Sequence, residues 1–199
     1  MVTPPPRVEQ HSVLVAAAGM RFQSLFGKNK TEWHIEADWQ IDRPFLACAY
    51  PKSLLTTLRD IAQQHSTPLL SITPYFVAEW NNWCEKLPSN AWFGVMHDEV
   101  LILGMTSAAQ PLELVGVRSI PIPEHGHSSA WIEEQLHRTA LQNDLAIPQQ
   151  VHVLGNRAHY WQQKNIDATE QRVVNLPDNT SYANTASSAI QMLVGGDVS

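Results

Sequence analysis

The sequence predicts an α/β fold in which a three-strand antiparallel meander feeds a mixed sheet with flanking helices, preceded by a small α/β segment. Three observations carry this reading. Residues 91–122 divide into the apolar runs Trp92–Met96, Val100–Met105 and Leu112–Ile120, separated by polar residues and Pro111, which is the spacing of a meander. A helical pattern and a fourth apolar run, Val151–Leu154, follow, so the order is strand, strand, strand, helix, strand. A 44% hydrophobic share over 199 residues supplies an ordinary packed core, for one domain or two small ones.

Each element has a local reason. Residues 1–10 are proline-rich and polar and read as a flexible leader. From Ser12, Leu14, Ala18, Phe22 and Leu25 recur at helical spacing, and Gly27 supplies the stop. Trp33–Gln40 alternates apolar and polar side chains, a half-exposed strand with Trp33 and Trp39 on one face. Phe45–Tyr50 is continuously apolar, as a fully buried strand is, and Pro51 closes it while opening a helix with the stripe Leu54, Leu55, Leu58, Ile61 and Ala62. Leu69–Ile72 reads as a returning strand. Thr73 and Pro74 then cap and open a helix whose core face is Phe76, Val77, Trp80, Trp83, Cys84 and Leu87. Pro88–Asn90 marks a boundary between an N-terminal α/β subdomain, residues 11–88, and a second subdomain, residues 89–199. In the second, Ser128 and Ser129 start a helix with Ile132, Leu136 and Ala140 on one side and Glu133 and Glu134 in its first turn, ending near Asn143. A short strand at Arg172–Leu176 and a last helix carrying Tyr182, Ala186, Ala189, Ile190 and Leu193 complete the pattern.

Charge and composition narrow the function classes. The formal net charge is −6 and no basic cluster is longer than Lys28–Lys30, which disfavours nucleic acid and anionic membranes as partners. No run approaches the roughly 18–20 apolar residues of a membrane span, so direct insertion is not expected. Val13–Met20 lacks the basic flank of a signal core, and its apolar pattern continues to Phe26 at helical spacing. Cys48 and Cys84 sit in apolar surroundings without a close partner, as buried thiols in a reducing compartment do; the expected location is the cytoplasm.

The stretch FLACAYPKSLLTTLRDIAQQHSTPLLSITPYFVAEWN, residues 45–81, resembles the strand, helix, strand, helix passage of the actin-like cytoplasmic proteins of type IV pilus and type II secretion platforms. The meander, the strand end VHVLGN and the segment SYANTASSAIQML resemble the later half of the same fold, so the likeness covers residues 31–199 as an order of elements. It implies a ribonuclease H-like or actin-like half and a protein partner among pilus or secretion components. Actin-like ATPases open each half with an Asp-x-Gly hairpin, because a carboxylate orients metal-bound water while glycine lets backbone N–H groups reach phosphate. Here the equivalent stretch is Val95, Met96, His97, Asp98, Glu99, with no glycine between the strands. Gly155 stands alone where the family carries paired glycines, and the first phosphate hairpin, which should precede residue 31, is missing. The expectation is a shortened, catalytically silent relative, a pseudo-ATPase acting as an interaction or scaffold protein with no catalytic, cofactor-binding or metal residue.

Two polar clusters support an alternative, a small metal-dependent hydrolase or ligand-binding protein. His97, Asp98 and Glu99 could place an imidazole beside two carboxylates for acid–base work, although a solvated hairpin turn is the simpler reading, because turns collect polar residues for conformational reasons. Glu124, His125, Gly126 and His127 put two imidazoles on one short segment, where His125 and His127 could ligate zinc with Glu124 or His137, or belong to a flexible polar loop. A two-metal nuclease needs a carboxylate on its first strand, and Trp92–Met96 has none. No Ser or Cys lies in a nucleophile-elbow context. Gly195 and Gly196 read as a helix stop rather than a phosphate cradle. Of seven tryptophans, Trp80, Trp83 and Trp92 fall in core patterns, whereas Trp33 and Trp39 are candidate contacts to a protein partner.

Overall fold

The helical spacing that starts near Leu14 becomes α1, His11–Phe26, which ends on Gly27 at φ 62°, the left-handed cap that glycine adopts without strain. The computed structural model describes residues 1–7, 10–27, 30–107, 112–155, 161 and 172–177. The last expected helix, from Tyr182 to Leu193, lies outside the described residues, as do Gly195, Gly196 and Pro111. The chain forms two compact units, Met1–Phe93 with Ile102–Ile120, and Gly94–Leu101 with Pro121–Ser199. The division therefore runs through the meander, not at Pro88–Asn90.

In the first unit, α1 buries Leu14, Ala17 and Ala18 in a small core with Val2 and Phe45. Val2 is bridged to Phe45 by a pair of backbone hydrogen bonds, 2.9 and 3.0 Å, so this part of the expected leader is a built piece of the core. The strands β1 (Trp33–Ala37) and β2 (Ala47–Pro51) form a separate two-stranded antiparallel sheet in the register Trp33↔Pro51 to Ala37↔Ala47. β1 is shorter than the expected Trp33–Gln40. Every residue of β2 is half-buried, which corrects the expectation of a fully buried strand: a two-stranded sheet has too few neighbours to cover both faces.

Pro51 caps α2, Lys52–Gln64, as expected, but of its apolar stripe only Leu55 is buried, while Leu54 and Ile61 are exposed. The expected strand Leu69–Ile72 does not form; the segment is irregular and exposed, and no strand edge among the described residues pairs with it. Pro74, not Thr73, occupies the cap position of α3, Tyr75–Trp83, and no side chain closes that end. Phe76 is buried and packs at a tilt on Phe93 at 5.7 Å, with Trp80 edge-on at 5.9 Å from the same ring. A 3₁₀ turn, Cys84–Lys86, follows. Cys48 and Cys84 are free and half-buried rather than buried.

The meander is formed by β3 (Ala91–His97), β4 (Val100–Thr106) and β5 (Leu114–Pro121). With β6 (Gln150–Leu154) and β7 (Val173–Leu176) they make a mixed five-stranded sheet in the order β5-β4-β3-β6-β7. Strands joined through two residues, as β3 and β4 are through Asp98 and Glu99, run antiparallel, whereas β6 and β7 are parallel from Val151↔Val173 to Leu154↔Leu176. β3 is buried from Ala91 to Met96, as the middle strand of five should be.

The second unit adds α4, Ser129–Gln142, capped by Ser128, whose Oγ accepts from the Trp131 N–H at 3.2 Å. Glu133 and Glu134 lie just past its first turn instead of in it, and Glu133 pairs with Arg172 at 2.9 Å. Ile132, Leu136 and Ala140 are buried as the spacing predicts. Among the described residues no helix is long and apolar enough to cross a membrane.

Candidate functional site

The two polar clusters picked out in the sequence come together in the second unit. β3 ends at His97, and the turn to β4 puts Asp98 at φ 51°, a left-handed conformation that Asp tolerates better than most residues. The carbonyl of Glu99 accepts from the Ile122 N–H at 2.8 Å, which ties this turn to the segment leading into a 3₁₀ turn at Glu124–His127. As a result Glu99 Oε2 lies 3.9 Å from His127 Nε2.

The Glu124–His127 segment forms a 3₁₀ turn. Gly126 is buried, and a Cβ there would come within 2.8 Å of Pro123 and 2.9 Å of Ile122, so only glycine fits the turn. Its carbonyl accepts from the indole N–H of Trp161 at 2.7 Å, and Trp161 stacks on Trp131 with ring centroids 5.6 Å apart. This aromatic anchor was not legible from spacing, because 35 residues separate donor and acceptor. Beside the same strand end, Gly155 has φ 138°, and a Cβ would fall 2.6 Å from the Met96 carbonyl oxygen. Its role is thus a close backbone approach between β6 and β3.

The pair can do little chemistry as it stands. His97 Nδ1 and Asp98 Oδ2 are 3.1 Å apart, but their side chains are 70% and 86% exposed, and contacts in that setting contribute about 0–1 kcal/mol. Glu99 is exposed and His127 half-buried, so no dry enclosure sharpens the field of either group. Glu124, His125 and His137 are exposed. Zinc sites take three or four protein ligands, and among the described residues no three His, Cys, Asp or Glu side chains are grouped to hold a metal ion.

Trp33 and Trp39 are both half-buried. Trp33 packs on Phe22 at 5.1 Å; Trp39 lies beyond β1 and packs on Phe45 at 5.6 Å and His11 at 4.8 Å. Each therefore shares its surface between the first unit's own core and solvent. Sequence reasoning missed Glu79, which is buried on α3 with Oε2 lacking a hydrogen-bond partner. The signal was present, since Glu79 falls three residues after Phe76 on the same helix face. The indole N–H of Trp83, one turn further on, is buried and unsatisfied as well. No family model and no curated protein matches the chain.

Proposed function

We propose that this chain is a non-catalytic interaction or scaffold protein on a shortened ribonuclease H-like, actin-like fold, acting in the cytoplasm as an accessory of a type IV pilus or type II secretion platform. The observation that carries the interaction role is the apolar surface of the first unit. Met20 on α1, Leu54 and Ile61 on α2, and Leu69, Leu70 and Ile72 beyond it are large and exposed, Leu70 by 89%. Large apolar side chains left exposed mark sites of protein contact where they form a contiguous patch. What supports the fold reading is the element order together with the sheet order β5-β4-β3-β6-β7, three meander strands followed by a parallel pair. What supports catalytic silence is the exposed β3–β4 turn without glycine.

Thermal melting with and without ATP–magnesium tests the silence. A nucleotide at 100 times its dissociation constant stabilises by about 2.7 kcal/mol, so a clear upward shift contradicts the proposal and an unchanged melt agrees with it. Pull-down against purified pilus or secretion platform components tests the surface, with Leu70→Ser and Met20→Ser expected to abolish retention. The approach of Glu99 to His127 favours a second reading, a metal-dependent hydrolase or ligand-binding protein. Stoichiometric zinc in the purified protein, lost in His125→Ala/His127→Ala, would establish that reading instead.

A further inference from the structure

The first unit contains a cavity of about 280 Å³ that neither the polar cluster nor the exposed apolar surface uses. Helix α1 contributes Ala18 and Phe22 to its walls, and the two-stranded sheet contributes Trp33, Ile35 and Cys48. The contact of Phe22 with Trp33 at 5.1 Å makes one wall aromatic. Burial pushes the Cys48 thiol above its ordinary pKa, so at neutral pH this wall carries an uncharged thiol that packs as a small apolar group and reacts slowly. A polar guest would give up water contacts that these walls cannot replace, whereas an apolar one loses nothing by entering.

One charged side chain, Arg21, joins this lining, and it is exposed. It presents a planar guanidinium, and no described carboxylate pairs with it. An apolar chamber bordered by the Arg21 guanidinium and by the Met1 α-amino group, whose pKa burial lowers, is complementary to a molecule with an apolar body and one anionic end, and the planar guanidinium matches a carboxylate with two parallel hydrogen bonds. The volume lies at the lower edge of the roughly 300–1,000 Å³ typical of small-molecule sites, which fits a medium alkyl chain and leaves no room for a long one.

We propose that this cavity binds a medium-chain alkyl carboxylate, its chain against Ala18, Phe22 and Trp33 and its head paired with Arg21. The test uses the full chain in a Cys84→Ala background, with octanoate as probe and octanol and octylamine as charge controls. Calorimetric titration reads affinity, and the rate of Cys48 alkylation by a maleimide reads occupancy of this cavity. The expected result is that octanoate binds and slows Cys48 alkylation several-fold, that Arg21→Gln weakens octanoate about tenfold, and that octanol binds both forms equally. Arg21 is exposed, so its replacement leaves the packing in place. Absence of octanoate binding, octanoate binding without protection of Cys48, unchanged affinity in Arg21→Gln, or octylamine binding as well as octanoate would each overturn the proposal.

Discussion

Two strands with equally apolar sequences end in different environments. β2 carries Ala47, Cys48, Ala49 and Tyr50, and all are half-buried; β3 carries Ala91, Trp92, Phe93, Val95 and Met96, and all are buried. The runs do not explain the difference. Among the described residues β2 has β1 as its sole strand partner, whereas β3 is the middle strand of five. The hydrophobic content of a strand sets how much burial it can gain, and the number of layers around it sets how much it receives. The same contrast separates the helices, since α4 buries Trp131, Ile132, Leu136 and Ala140 while α2 buries only Leu55.

The contrast predicts where substitutions will hurt. The largest effect is expected for Ile132→Ala, which empties a site with no solvent exposure and should cost about 2–5 kcal/mol in urea unfolding, whereas Leu54→Ala on α2 should stay within about 0.5 kcal/mol. Equal costs would break the comparison. Next come the glycines. Gly155→Ala forces a side chain into φ 138° and against the Met96 carbonyl and should cost about 1–3 kcal/mol, while Gly27→Ala meets open space and should cost only about 1 kcal/mol for its left-handed φ.

A smaller effect of opposite sign is expected at Glu79. Its Oε2 is buried without a hydrogen bond, so Glu79→Met should stabilise by about 1 kcal/mol, whereas Glu133→Met, which removes the partner of Arg172, should cost about 0–1 kcal/mol. Destabilisation by Glu79→Met would show that this carboxylate has a partner worth its burial.

The smallest effect concerns His152 on β6. Burial lowers its pKa below 6.5, and its Nδ1 is buried without a hydrogen bond. Between the folded and unfolded pKa values the unfolded chain binds more protons, so stability falls as the pH drops through about 6.5 and levels off below the folded pKa. Melting curves from pH 7.5 to 5 should show this loss, and His152→Gln should reduce it; an unchanged profile in the variant would remove His152 from the account.

Much of the five-stranded sheet and of the second unit was legible. The strands near Trp92–Met96, Val100–Met105 and Val151–Leu154, the Ser128 cap and the buried face of α4 all follow from spacing, because each is a local pattern inside a structure that meets its burial demand. The first unit was harder to read. Among the described residues Leu69–Ile72 has strand composition but no strand edge to join, and the α2 stripe has no cover, so composition pointed to burial that packing does not supply. Of the candidate site, the residue types were visible, but not the approach of Glu99 to His127, which depends on the Ile122 to Glu99 backbone bond across 23 positions.

The sequence by itself determined the α/β class, the sites of most helices and strands, the glycine cap at Gly27 and the absence of glycine from the β3–β4 turn. These are properties of neighbouring residues, written in periods of two and 3.6 and in the φ each residue tolerates. Tertiary structure alone decided which apolar faces are covered, that Val2 closes on Phe45, that Trp161 anchors Gly126, and that Arg21 stands beside an apolar cavity. Those outcomes depend on residues distant in the chain competing for the same neighbours, and no local pattern records which of them wins.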